Sequence, residues 1–371
     1  MTNTPVFFAD SNATPINNML DRLEKVIRKT GLLDAISTDD VVMVKTHFGV
    51  WGNTRHIRPE YIRKAVEIVK DAGGKPFVSE TCALGYGTSG PYGGRCTMAD
   101  YLRMAEKNGF SQGTIGAPIV FADGYWGVNT YDVNIDGDYI KTVPVASALL
   151  DCDHVLVLSH AKFHDMGIAA TLKNIGVGLV GKGGKMSIHS PDGITLNPSE
   201  CKGVECSLCV NYCPVRCITV NDTVSIDMDK CVRCGHCASV CGSMAKSKAI
   251  TMDWIGQDIT KRVVENAMGV VSSIGLDRFY FVNLAIDITE KCDCISVGRP
   301  LLMHDIGIFG ARDPVAIDHA TLEIMKDATI SEDSPAAGSL SRLVETSASF
   351  FTHAKEMNFG TTDYDFVNVT Q

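Results

Sequence analysis

The chain has 371 residues, 45 % apolar and 21 % charged, enough for two or three domains with a sizeable core and without the composition of a disordered protein. Lysine and arginine number 34 against 43 aspartates and glutamates, and a net charge of −9 opposes binding to nucleic acid or to an anionic membrane surface. The first residues, MTNTPVFFAD, lack the basic-then-apolar order of an export signal, and no apolar run reaches the roughly 18 residues that cross a bilayer, so a cytoplasmic chain is expected.

Residues 6–9 and 41–45 are apolar runs of strand length, and residues 16–28 between them carry apolar side chains at helical spacing. Residues 58–72 predict a helix: Pro59 suits its first turn, Ile62, Ala65, Val66 and Val69 share a face, and Gly73 with Gly74 stops it. A strand follows at 75–79. The loop 81–95 holds Gly85, Gly87, Gly90, Gly93 and Gly94 with Tyr86 and Tyr92, and suits a lid, a phosphate cradle or an ordinary surface loop. Residues 98–107 predict a helix, 154–159 a buried strand, and a further helix starts at Met166. This rhythm predicts an α/β fold, a mostly parallel sheet with helices on both faces, with ligands beyond the carboxyl ends of the strands.

Composition changes near Ser190, where SPDGITLNPSE supplies turn residues, and changes back after Lys248. A helix at 259–274 and a strand at 278–284 then resume the α/β pattern. The expected organisation is an α/β domain in two parts, 1–195 and 251–371, interrupted by a small α+β insert at 196–250.

Of the 14 cysteines, nine fall between Cys201 and Cys241; clustered thiols in a cytoplasmic chain suit metal better than disulfides. Cys231, Cys234, Cys237 and Cys241 have the C-x2-C-x2-C-x3-C spacing of bacterial ferredoxins, which wraps a [4Fe-4S] cube. Cys201, Cys206, Cys209 and Cys213, followed by Pro214, differ only in having four residues after the first cysteine. In two-cluster ferredoxins the fourth cysteine of each run crosses to the other cluster. The expected sets are therefore Cys201, Cys206, Cys209 with Cys241, and Cys231, Cys234, Cys237 with Cys213. Zinc is the alternative metal, but its cysteine pairs are usually separated by longer spans. Cys217 either replaces Cys213 as a ligand or fills the core. Residues 218–220 and 224–227 around Asn221 and Asp222 fit a hairpin between the runs. Two such clusters are one-electron devices and imply a redox partner protein.

Basic side chains gather in two other stretches, Lys45, His47, Arg55, His56 and Arg58, then His160, Lys162, His164, Lys173, Lys185 and His189. Both open at predicted strand ends, where they converge on a pocket for an anionic small molecule; His47, His160, His164 and His189 alternatively suit a metal. Cys292 and Cys294, alternating on an extended chain, share a face and suit a metal, a redox pair or two buried structural thiols; a metal there needs histidines, Asp305 or Asp313 as further ligands. Gly176, Gly178 and Gly181 match G-x-G-x-x-G but follow a predicted helix, and Gly183 stands where a phosphate loop needs Ser or Thr, so neither motif is assigned.

The stretches KTHFGVWGNTRHIRP (45–59), SHAKFHDMGIAATLKNIGVGLVGKGGKMSIH (159–189), CDC (292–294) and DIGIFGARDPVAID (305–318) together resemble the domain of unknown function 362 family. Its members are iron-sulfur centre proteins, many with a ferredoxin module inserted at this place, and the resemblance implies a shared fold and a shared site. The expected function is an iron-sulfur oxidoreductase whose clusters relay electrons to a substrate or cofactor in the α/β cleft. Candidate catalytic residues are His47, His160, Lys162, His164, Lys173, Asn174 and His189. Lys45, Arg55, Arg58, Lys185, Asp305 and Asp313 are candidates for binding that ligand or a third metal or organic cofactor. The alternative is a non-enzymatic electron-transfer or cofactor-maturation partner.

Overall fold

Apolar side chains alternate along the central strands and feed two separate cores. Val155, Val157, Phe279 and Phe281 point into one, while Leu156, Leu158, Tyr280 and Val282 point into the other. Such alternation of buried residues on both sides of a strand requires a sheet covered on both faces. The computed structural model describes residues 4–86, 94–254, 256–330, 334 and 337–370. Gly87, Gly90, Tyr92 and Gly93 of the glycine-rich loop lie outside the described residues.

Eight strands form the central sheet: β1 (Thr4–Asp10), β2 (Val41–Lys45), β3 (Lys75–Glu80), β4 (Ile119–Phe121), β5 (His154–His160), β6 (Phe279–Ala285), β7 (Gly307–Ala311) and β8 (Tyr364–Asn368). Their order is β8-β1-β7-β6-β5-β2-β3-β4. β7 runs antiparallel to β1 and β6, and the other neighbours are parallel. This is an α/β protein with a mostly parallel sheet.

Helices α1 (Met19–Lys29), α2 (Pro59–Asp71) and α3 (Met98–Lys107) cover one face, burying Val26, Val66 and Met104 among others. Asn18 and Asp21 close a capping box that starts α1, which leaves Ile16, part of the predicted helix, 94 % exposed ahead of it. The other face is covered by α4 (Thr171–Gly176), α5 (Lys182–His189), α6 (Ile259–Ile274), α7 (Pro314–Asp327) and α8 (Leu340–Glu356). The helix expected from Met166 begins instead at Thr171. Gly167, at φ +99°, supports a tight turn that pairs Lys162–His164 with Gly167–Ala169 as a short hairpin.

The cysteine block leaves and rejoins the α/β body through a two-residue antiparallel pair, Thr195–Leu196 against Ile250–Thr251. Within it lie the hairpin Ile218–Val220 with Val224–Ile226 and the helix His236–Ser243. The block packs on α5. A Cβ at Gly183 would lie 2.8 Å from the Val232 carbonyl oxygen, so only glycine lets the Cys231–Cys237 loop approach so closely.

Candidate functional site

The carboxyl ends of β2, β3, β5 and β6 deliver Lys45, Glu80, His160 and the segment after Ala285 to one side of the sheet. A cleft of about 660 Å³ opens there, lined by His47, Glu80, Arg95, His160, Lys173, Asn174, Lys185 and the Cys292–Cys294 segment. Parallel strand ends with their helices pointing away form such a crevice as a matter of topology. Lys45 is fully buried beneath it, donating to Asn174 Oδ1 and the Thr46 carbonyl, each at 2.7 Å, and pairing with Glu80 at 2.9 Å. Asn174 also donates to Ser159 at 3.0 Å. A Cβ at Gly178 would come within 2.6 Å of Lys45 Nζ, so the glycine spacing serves packing at the cleft floor.

Cys292 to Ile295 form a turn rather than the expected extended segment, with the Ile295 N–H donating to the Cys292 carbonyl at 3.4 Å. The turn still gathers both thiols: Cys292 Sγ lies 2.8 Å from Cys294 Sγ. Lys173 Nζ stands over them at 3.2 Å from Cys292 and 3.7 Å from Cys294. Asp293 anchors the turn from behind. Its carboxylate meets His160 Nδ1 at 2.8 Å and Lys162 Nζ at 3.0 Å, and accepts the Ile57 N–H at 3.1 Å. Burial alone would raise the Asp293 carboxyl, but His160 and Lys162 hold it well below the ordinary range. The second ring nitrogen of His160 faces the Ile286 carbonyl at 2.7 Å, so the imidazole is fixed at both ends.

The thiols are electrostatically unequal. The hydrogen bond from Cys292 brings the Cys294 thiol down to about 6 against the cost of burial, with Lys173 and Arg95 helping, while that same bond and burial push Cys292 up. Burial disfavours the Lys173 ammonium, yet the two thiols beside it raise it above its ordinary value. Opposite them, Arg95 donates to the Cys294 carbonyl at 3.0 Å and contacts His47 Nε2 at 3.1 Å. Burial and Arg95 hold His47 well below the ordinary histidine value. Lys185 donates to Thr81 Oγ1 at 2.9 Å and to the Val180 carbonyl, and burial lowers it to about 8.

Among the sequence-predicted residues, His47, His160, Lys173, Asn174, Lys185, Cys292 and Cys294 line the cleft, and Lys45 and Lys162 lie buried behind its lining. His164 approaches the two thiols, their ligand atoms lying within 4.8 Å of one another. His189 stands apart and packs on Trp254 at 4.9 Å between rings, its pKa lowered to about 4 by burial and then by the charges of His164 and Lys173. Arg55 and Arg58 pair with Asp287. Asp305 accepts the Asp287 N–H at 2.7 Å and lines a different cavity beside Ser11. Asp313 caps α7, accepting from Val315 and Ala316. Arg95 and Glu80 are cleft residues beyond those the sequence points to, and Asp293, part of the CDC motif, gains its role as the anchor of the turn from the structure. The signal for Arg95 and Glu80 was their place at either end of the loop that follows β3.

Away from the cleft, the grouping of Asp138, Glu265 and His353 is structural: Glu265 accepts the backbone N–H groups of residues 138, 139 and 140 and contacts His353 Nε2 at 2.9 Å.

In the cysteine block, Cys201, Cys206, Cys209 and Cys241 surround one cavity of about 340 Å³, with apolar Val220, Val224 and Ile250. Cys213, Cys231, Cys234 and Cys237 surround another of about 340 Å³, with Ile218 and Ile226, and Cys217 joins its wall. The Cys217 N–H donates to Cys213 Sγ at 3.4 Å, and burial and Cys213 push the Cys217 thiol up to about 12. Four thiols around the first apolar cavity and five around the second fit a thiolate-ligated iron-sulfur or metal group. The second cavity adjoins α5, where Lys182 donates to Gly85 O at 2.8 Å and Cys96 O at 2.6 Å and contacts His236 Nε2 at 2.5 Å. The Gly85 N–H donates to the Cys234 carbonyl at 3.1 Å.

An uncharacterised ferredoxin of Methanocaldococcus jannaschii is 40 % identical to this chain over 50 residues, 13 % of this chain and 81 % of that protein. Among solved structures, the lactate racemase apoprotein from Thermoanaerobacterium thermosaccharolyticum aligns at 10 % identity with a TM-score of 0.37, over 89 % of this chain and 58 % of the racemase chain. The profile described as domain of unknown function (DUF362) matches residues 42–323, most of the chain, which therefore belongs to that family.

Proposed function

We propose that this protein is an iron-sulfur oxidoreductase, in which residues 196–250 form an inserted module holding two [4Fe-4S] clusters and the α/β cleft binds an anionic substrate. The observation that carries the reading is the pair of cysteine-lined cavities, one of them against the helix that also supplies Lys185 to the cleft. When bound, clusters of this type supply or accept electrons one at a time.

The cleft residues support the substrate side. Glu80 is neutralised by Lys45, and Asp293 by Lys162 with His160. Lys173 faces the Cys292 and Cys294 thiols, and Lys185 and Arg95 are left to give the lining a positive balance. An ammonium has three donors, and Lys185 commits two of them to Thr81 and Val180, leaving one for a ligand oxygen. His47 accepts the Gly49 N–H on Nδ1 at 2.8 Å and faces Arg95 through Nε2 at 3.1 Å, so it orients Arg95 in the lining, with burial and Arg95 holding it well below its ordinary value. Asn174 positions Lys45 and Ser159 rather than reacting.

Chemically reduced protein, kept free of oxygen, is the material for the test. Adding small carboxylates that are reducible should accelerate its reoxidation, with the acceleration lost in Lys185→Met. Reoxidation by proteins alone, indifferent to every small molecule and to Lys185→Met, would instead make the chain an electron carrier.

A further inference from the structure

The paired thiols of the cleft carry chemistry of their own. Cys294 is partly accessible, whereas Cys292 is 5 % exposed and lies behind it with the two sulfurs 2.8 Å apart. An accessible attacking thiol backed by a buried resolving thiol is the arrangement that thiol–disulfide exchange requires. Lys173 spans both sulfurs and places positive charge where a thiolate must form. The Asp293 clamp fixes the turn, and Asn53 Nδ2 adds a bond to the Ile295 carbonyl at 3.1 Å.

A metal held by His164, Cys292 and Cys294 is the competing use of this cluster. Two contacts oppose it. The Met166 N–H donates to His164 Nδ1 at 3.3 Å, which puts the neutral ring's proton on Nε2, whereas a ligating histidine donates its second N–H to an acceptor. The ammonium of Lys173 also already balances the thiol charge that a metal would neutralise.

We propose that Cys292 and Cys294 are a thiol–disulfide exchange couple acting on a small carboxylate-bearing disulfide. Cys294 Sγ attacks one sulfur of the substrate, the substrate S–S bond breaks, and its electron pair leaves with the first thiol. Cys292 Sγ then attacks Cys294 Sγ, displacing the second thiol and closing a Cys292–Cys294 bond. The substrate is reduced by two electrons, the protein pair is oxidised by two, and the two cysteine protons end on the two released thiols. The carboxylates of such a substrate match Arg95 and Lys185 around the same cleft. This inference stands on the cleft alone and does not depend on the clusters.

The test is to equilibrate oxygen-free, full-length protein with glutathione disulfide, block free thiols and map the peptides by mass spectrometry. The wild type should carry a Cys292–Cys294 bridge. Cys292→Ser should accumulate a glutathione adduct on Cys294, and Cys294→Ser should form one on Cys292 at least about tenfold more slowly. Lys173→Met should slow the Cys294 adduct about tenfold and Lys173→Arg should restore most of the rate. Unreacted thiols in the wild type, a preference for Cys292, or a metal ion that both cysteine variants lose would overturn the proposal. Iron and sulfide content of the same samples keeps its failure separate from failure of the cluster reading.

Discussion

Lys182, on the helix that walls the cleft, contacts His236 of the cysteine block through its ammonium at 2.5 Å from Nε2. Both side chains are fully buried, and burial together with the Lys182 charge lowers His236 to about 3, so the imidazole is neutral and accepts. One cation therefore joins three elements, because the Gly85 and Cys96 carbonyls share it.

Replacing that cation strands three buried acceptors. Lys182→Met should lower stability by about 3 kcal/mol, measured as a shift in the denaturant midpoint. Because the partners share one network, Lys182→Met and His236→Ala should be less than additive in a double-mutant cycle. Full additivity would mean that the contact does not couple the block to the α/β body.

Asp293→Asn should cost about 3 to 5 kcal/mol, since it leaves Lys162 buried without its counter-ion. The sign with pH follows from a carboxyl held below its ordinary value by His160 and Lys162. Its stabilisation is fully present above about pH 4 and is lost as pH falls toward the lowered folded-state value. Acid unfolding of Asp293→Asn, compared with the wild type, should lack this component.

Anion binding should weaken as pH rises through about 8, where Lys185, lowered by burial, gives up its proton. Lys173 is raised by its thiol neighbours and stays charged across that range. Titration with malonate in buffers of different ionisation enthalpy should therefore show proton uptake on binding near pH 8. Lys185→Met should bind more weakly at pH 7 and lose that uptake.

The crossed cysteine sets separate in single variants. Cys241→Ser should disturb the site of Cys201, Cys206 and Cys209, and Cys213→Ser the site of Cys231, Cys234 and Cys237, each reducing iron from about eight to about four per chain. If the ligands did not cross, Cys241→Ser would change the spectrum that Cys231→Ser changes.

The periodic segments were legible because burial on two faces writes itself into sequence: the expected strand at 41–45 and helices at 98–107 and 259–274 match β2, α3 and α6. The turn around Gly167 was not, since its +99° backbone angle is set by tertiary packing against Ser347 and leaves no local pattern beyond the glycine itself. The cysteine spacing pointed to which thiols share a cavity, because a cube fixes the spacing of its ligands. The cleft was legible only in part. Lys173, His160 and the Cys292–Cys294 pair stood out by residue type, whereas Arg95 reaches the site from the end of a glycine-rich loop, and the roles of Asp293 and Glu80 depend on partners distant in sequence. Asp305 and Asp313 share a motif with no cleft residue and serve a loop and a helix cap.

The most direct measurement is iron and acid-labile sulfide per chain in protein purified without oxygen, with electron paramagnetic resonance of the reduced sample. Two [4Fe-4S] clusters require about eight irons, about eight sulfides and the signal of two interacting reduced centres. Zinc in place of iron, or iron without sulfide, would contradict the account.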